Sequence, residues 1–181
     1  MSRSERTQPD VLYFAYGSNL WLPRLKARVP GVRALGRALL RGHDFRWHKK
    51  GDDGSGKGNV VAVGGRAVVY GALFAIPKEE VFSLDHAEGA GYSRITVSLE
   101  STRGDVTAET YVARESAIDD TRQPYSWYKA LVIAGAESYG LPPAYVDNLR
   151  LVDAVHDPDA ERDRRHRRFL LSVSQLHRPK A

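Results

Sequence analysis

Apolar residues along this chain follow two different periods, and the change from one to the other marks the elements. Residues 11–16 (VLYFAY) are β-branched and aromatic and predict a buried strand. Gly17-Ser18-Asn19 breaks the run. Leu20, Leu22, Leu25 and Val29 are then spaced as on a helix, with basic residues between them, and Pro30-Gly31 ends it. Residues 34–47 read as one long strand interrupted at Gly42, and 49–58 (KKGDDGSGKG) as a flexible polar loop. Two strands follow, 59–63 and 66–76, and then a short helix over 77–86 with Pro77 at its start. Residues 92–100 and 106–113 predict a hairpin that turns near Arg103-Gly104-Asp105. An amphipathic helix spans 125–139, ended by Gly140, and another spans 142–152; 159–176 is a basic helix or a mobile tail. Strands fill the middle and helices the C-terminal third, and the connections are too short for βαβ units. The pattern is that of an α+β domain with a curved or closed sheet.

A length of 181 residues fits one domain, with 42% hydrophobic and 27% charged residues, as in globular proteins. The expected division is a flexible N-terminus over 1–10, one domain over 11–158 and a basic C-terminal helix or tail over 159–181. The absence of cysteine removes disulfides, a thiolate nucleophile and Cys-ligated metals. No apolar run nears the roughly 20 residues of a membrane helix, and residues 1–10 lack the apolar core of a signal peptide. A cytoplasmic protein without a membrane partner is expected. The net charge of +5 sits in the tail: residues 161–181 hold seven basic and two acidic residues, and the rest is balanced. No aromatics interleave the Arg-rich run 162–168, so a solvated helix suits it better than nucleic-acid binding. The tail is expected to be dispensable for any chemistry of the body.

Three segments could carry chemistry. Tyr16-Gly17-Ser18-Asn19-Leu20 joins a strand to a helix, where backbone N–H groups can meet a carboxylate, a phosphate or an oxyanion; otherwise Ser18 or Asn19 is simply a helix cap. Residues 51–57 spell the first part of a phosphate loop. Gly58 stands where Ser or Thr should hold magnesium, a strand follows instead of a helix, and two aspartates would repel phosphate. Leu84-Asp85-His86-Ala87-Glu88-Gly89 places two carboxylates and an imidazole between strands. A carboxylate beside an apolar sheet has a raised pKa and can act as a base near neutral pH; otherwise this is a solvated helix end. The histidines show no ligand spacing, so no metal site is expected.

The order of these pieces is more specific than any one of them. Residues 13–20 (YFAYGSNL), 54–59 (GSGKGN), Leu84-Asp85 with Glu88-Gly89 and Tyr92, and the block from Pro124 to Tyr145 together resemble the γ-glutamylcyclotransferase family over about 11–157. The resemblance implies a small mixed β-barrel with helices around it. It implies an enzyme that needs no cofactor and no metal and takes a small-molecule γ-glutamyl substrate. The substrate's α-amine attacks its own γ-carbonyl, giving 5-oxoproline and a free amino acid or amine. By the same resemblance Glu88 is the general acid and base. Tyr16, Gly17, Ser18, Asn19, Leu20, Tyr92 and Tyr128 bind substrate, and the 17–19 loop holds either the α-carboxylate or the oxyanion. The stretch between Glu88 and Tyr92 is short. A homodimer is left open, as is the leaving group. The competing reading is a non-catalytic small-molecule-binding module of the same fold.

Overall fold

The computed structural model describes residues 9–176. In chain order the elements are β1 (Val11–Ala15), α1 (Leu22–Arg28), β2 (Arg33–Arg41), β3 (His43–Lys50), β4 (Gly56–Ala62), β5 (Val68–Ile76), α2 (Val81–Glu88), β6 (Tyr92–Ser101), β7 (Gly104–Ala113), α3 (Ser126–Ser138), α4 (Pro143–Leu151) and α5 (Ala160–Leu176). Five strands close into a barrel in the order β1-β5-β2-β6-β7. β7 returns to β1 by parallel pairing, and the other neighbours are antiparallel. This is the mixed barrel with surrounding helices that the resemblance implies. Closure leaves the barrel without free edges.

The two-residue period of β1 explains its double role. Phe14 and Tyr16 point one way, into a cluster with Ala38, Val69, Leu73, Leu99 and Ala108 drawn from all the other barrel strands. Tyr13 and Ala15 point the other way, toward Phe74 and the helical residues Leu25, Leu131 and Leu149. α3 lies tight against the chain that leaves β1. A Cβ on Gly135 would stand 2.7 Å from the Trp21 nitrogen, so only glycine permits that approach.

The structure redraws three boundaries. Residues 34–47 are two strands. Gly42 turns the chain at a φ of +70°, and β3 leaves the barrel to pair with β4 in a separate two-stranded sheet. Of residues 49–58 only 51–55 lie outside β3 and β4, in a tight turn where the Asp53 carboxylate accepts from the Ser55 N–H and hydroxyl at 3.0 and 2.9 Å. The helix expected from Leu20 begins at Leu22, after a 3-10 turn over Ser18–Leu20. Most of the expected flexible N-terminus, residues 1–8, lies outside the described residues; Asp10 pairs with Arg33.

The basic segment is a helix docked on the body. On α5, His166 stacks on Trp127 with ring centroids 3.8 Å apart, Phe169 meets Trp21 edge-on at 5.1 Å, and Arg162 is clasped by buried Asp157 through two bonds of 2.6 Å. Among the described residues no helix is long and apolar enough to cross a membrane.

Candidate active site

The 3-10 turn after β1 exposes backbone donors. The N–H groups of Leu20 and Trp21 bond back to Gly17 and Ser18. Those of Gly17, Ser18 and Asn19 have no acceptor among the described residues, as expected for the first residues of a helical turn. They border a cavity whose walls include Tyr13, Tyr16, Glu88, Tyr92, Tyr111 and Tyr128. Gly17 has a φ of −100°, which any residue can adopt. A Cβ there would stand 3.5 Å from the Tyr128 hydroxyl, so glycine serves to keep the cavity open.

Glu88 is the last residue of α2, and about 15% of its side-chain surface remains exposed. Oε1 accepts from Asn19 Nδ2 at 2.5 Å and from Arg28 Nη1 at 3.2 Å. Arg28 also donates to Asn19 Oδ1 at 2.8 Å, and Asn19 Nδ2 reaches the Tyr13 hydroxyl at 3.1 Å. Both bonds to Glu88 fall on Oε1; Oε2 has no protein donor among the described residues. Burial raises the Glu88 pKa above the ordinary carboxylate value, against the opposing pull of Arg28, Arg24 and the Asn19 bond. A carboxylate with one oxygen fixed, the other open and its pKa raised toward neutrality is built to accept a proton.

The tyrosines divide by what their hydroxyls do. Tyr92 donates to the Gly58 carbonyl at 2.6 Å and Tyr16 to the Tyr111 carbonyl, so both protons are engaged by the backbone. Both line the cavity. Tyr128 accepts from the Gly58 N–H at 2.9 Å, which leaves its own proton available. Burial raises all three pKa values, so the hydroxyls stay protonated. Leu20, expected among the substrate-binding residues, is fully buried in the core and lines neither this cavity nor the next.

A second, wider cavity of about 260 Å³ opens beyond the first, and Ser18, Glu88, Tyr92 and Tyr128 belong to both. Its other walls come from α1, the β3–β4 turn and α5, including Arg24, Lys49, Lys57, Arg162 and His166. Lys57 bonds to Asp53 at 2.6 Å and sits over the rings of Trp127 and Tyr128 at 4.8 and 4.6 Å. Burial lowers its pKa to about 8, although Asp53 favours the charged form.

Tyr13, Arg24, Arg28, Lys49 and Lys57 are site residues that the motif reading did not assign. Arg24 and Arg28 stand between apolar positions and Lys49 and Lys57 in a polar stretch, so all four read as solvated charges. Tyr13 lies on the opposite face of β1 from Tyr16, and only the fold brings both to one cavity. Among the described residues no cluster of three His, Asp or Glu side chains is placed to hold a metal ion.

The sequence matches the AIG2-like family over residues 68–149. It is 30% identical over 164 residues to human γ-glutamylcyclotransferase, covering 81% of this chain and 82% of that protein. It is 30% identical over 158 residues to bovine γ-glutamylcyclotransferase, covering 80% and 79%. The fold superimposes on a solved γ-glutamyl cyclotransferase with a TM-score of 0.77 at 23% identity, over 88% of this chain and 99% of that one. A structure of YkqA from Bacillus subtilis shares the fold with a TM-score of 0.66 at 21% identity, over 83% of this chain and 58% of that one. With this coverage and identity, the chain belongs to the γ-glutamylcyclotransferase family of enzymes.

Proposed function

We propose that this protein cyclises a γ-glutamyl compound to 5-oxoproline and releases the attached amine, with Glu88 moving the protons. The observation that carries the reading is the asymmetry of Glu88: Oε1 is fixed by Asn19 and Arg28, and Oε2 is open beside unpaired backbone donors. The sequence relatives named for the same activity support the choice of reaction.

The substrate's α-nitrogen must reach its own γ-carbonyl, so the cavity gains most by folding the glutamyl chain into a near-attack shape. In the overall change two protons leave the attacking nitrogen and two arrive on the departing one. Glu88 Oε2 takes the first proton from the ammonium, and the freed amine adds to the carbonyl carbon. The carbonyl electron pair moves onto oxygen, beside the N–H groups of Gly17, Ser18 and Asn19. As the pair returns, the bond to the leaving nitrogen breaks and protonated Glu88 supplies that nitrogen's first proton; the carboxylate then takes the second proton from the ring nitrogen and passes it to the released amine. The Tyr128 hydroxyl, free to donate, supports the oxyanion or the α-carboxylate.

Glu88→Gln tests the reading. Glutamine keeps the volume and can hold Arg28 through its carbonyl, but it cannot cycle a proton. General-base contributions are about 10²–10⁴-fold, so 5-oxoproline formation should fall by that order with the fold and substrate affinity retained. Near-normal turnover of this variant would remove Glu88 from the mechanism.

A further inference from the structure

The wider cavity is the continuation of the inner one, and its charge is unbalanced. Its walls carry five cationic side chains, Arg24, Arg28, Lys49, Lys57 and Arg162, against three carboxylates, Asp52, Asp53 and Glu88. Pairing neutralises most of them. Arg28 meets Glu88, Lys57 meets Asp53, and Arg162 meets Asp157 behind the wall. Asp52 stands exposed at the rim. Arg24 and Lys49 are left.

Arg24 bonds to the Ser18 hydroxyl at 3.1 Å and has no carboxylate partner among the described residues. Lys49 is 6% exposed. Its ammonium lies 4.8 Å above the Tyr92 ring, close against Gly91, and it too has no carboxylate partner there. A cation withdrawn from water without a counter-charge is costly, and a bound anion relieves that cost. Both line the wider cavity and neither lines the inner one.

We infer that the wider cavity is a leaving-group subsite for a dicarboxylate, an acidic α-amino acid whose two carboxylates pair with Arg24 and Lys49, with α5 as its outer wall. The inference rests on the cyclotransferase reading, since that reaction places the glutamyl part in the inner cavity and the departing amine outside it. Burial lowers the Arg24 guanidinium to about 10, with Arg28 adding to the effect, which fits a group that lacks an anion. The β6 entry is short at Gly89-Ala90-Gly91, and this brings Tyr92 and the Lys49 ammonium to the same rim.

The test compares 5-oxoproline release from γ-glutamyl-glutamate, γ-glutamyl-alanine and γ-glutamyl-methylamine. A hydrogen bond to a charged group is worth roughly tenfold or more, so kcat/KM should fall by at least about that factor with each carboxylate removed. In Arg24→Gln and in Lys49→Gln, measured separately so that one misfolded variant does not decide the matter, the ratio of acidic to neutral kcat/KM should shrink by a similar factor. Equal kcat/KM for the three conjugates would overturn the subsite and leave the cyclotransferase reading standing. An unchanged ratio in both folded variants would also overturn it. No 5-oxoproline from any conjugate would overturn the reading itself, and the subsite with it.

Discussion

Glu88 meets two environments at once. One oxygen is held by an amide and a guanidinium, the other has no donor among the described residues, and the side chain lines the cavity. Arg28 counters the burial that raises the Glu88 pKa, so on the proposed mechanism it tunes the base. Removing its charge in Arg28→Gln should raise that pKa further. A base works only when deprotonated, so the acid limb of kcat/KM should move to higher pH in the variant. A pH–rate profile in which the limb stays still or moves to lower pH would show that Arg28 does not tune the base. Gly17 makes a simpler prediction. Its φ suits any residue and its Cβ would enter the cavity beside the Tyr128 hydroxyl. Gly17→Val should keep the fold, by circular dichroism and melting, while raising KM at least about tenfold through lost near-attack geometry. An unchanged KM would mean that substrate avoids this wall. Glu88 was singled out by the family resemblance; the local motif alone offered two carboxylates and an imidazole and left a solvated helix end as the alternative. Arg24 and Arg28 were not singled out, since a guanidinium five or nine residues past the 17–19 loop looks like any solvated charge until α1 turns it inward.

At the scale of elements, α5 departs most from what the sequence suggested. Residues 162–168 look like a charge run, yet Arg162, His166, Phe169 and Leu170 fall on one helical face, and that face meets the body. Composition hides the pattern, because a stacked imidazole and a clasped guanidinium do not count as apolar. Two titrating groups hold the face down. Burial and the neighbouring Arg24, Arg165 and Lys57 lower the His166 pKa to about 4, below its usual 6.5. The docked state thus prefers the neutral ring, and docking weakens as pH falls from about 6.5 to about 4. The Arg162 bonds, helped by Trp127 and opposed by burial, hold the Asp157 pKa at about 2, below the usual value of about 3.9. Its contribution is whole above that usual value and is lost as pH falls to about 2. The near-ultraviolet dichroism of Trp127 should change in two steps. His166→Phe should remove the upper step only. Asp157→Asn should remove the lower one and speed trypsin cleavage within 162–168 at neutral pH. A single step unaffected by either substitution would refute this account. Since Arg162 and His166 also line the wider cavity, deleting 161–181 should raise KM, contrary to the expectation of a dispensable tail.

For the whole molecule, the strand runs and their order were readable, and so was the barrel once the resemblance was recognised. Sequence could not tell that β3 would leave the barrel at Gly42, because its residues alternate like those of the barrel strands. Charge distribution, by contrast, was fully visible and gains meaning from the fold. Of the tail's seven basic residues, Arg178 and Lys180 lie outside the described residues and five lie on α5, which contributes Arg162 and His166 to the wider cavity. Arg164 and Arg165 are exposed there, whereas Arg24 and Lys49 lie within the walls. Exposed charges act through solvent and are screened over about 10 Å at 0.1 M salt and about 3 Å at 1 M; buried ones are screened much less. The field of α5 should therefore speed the arrival of acidic substrate at low salt, and the inner cations should set the preference that survives at high salt. For γ-glutamyl-glutamate, kcat/KM should fall several-fold between about 0.05 and 0.5 M sodium chloride, while the methylamine conjugate changes little. Replacing Arg164 and Arg165 together by Gln should flatten that slope and leave the high-salt preference for the acidic conjugate in place. Identical salt slopes for the two conjugates would show that the charge of α5 plays no part in capture, and a high-salt preference lost with those two arginines would place the selectivity on the helix surface instead of at Arg24 and Lys49.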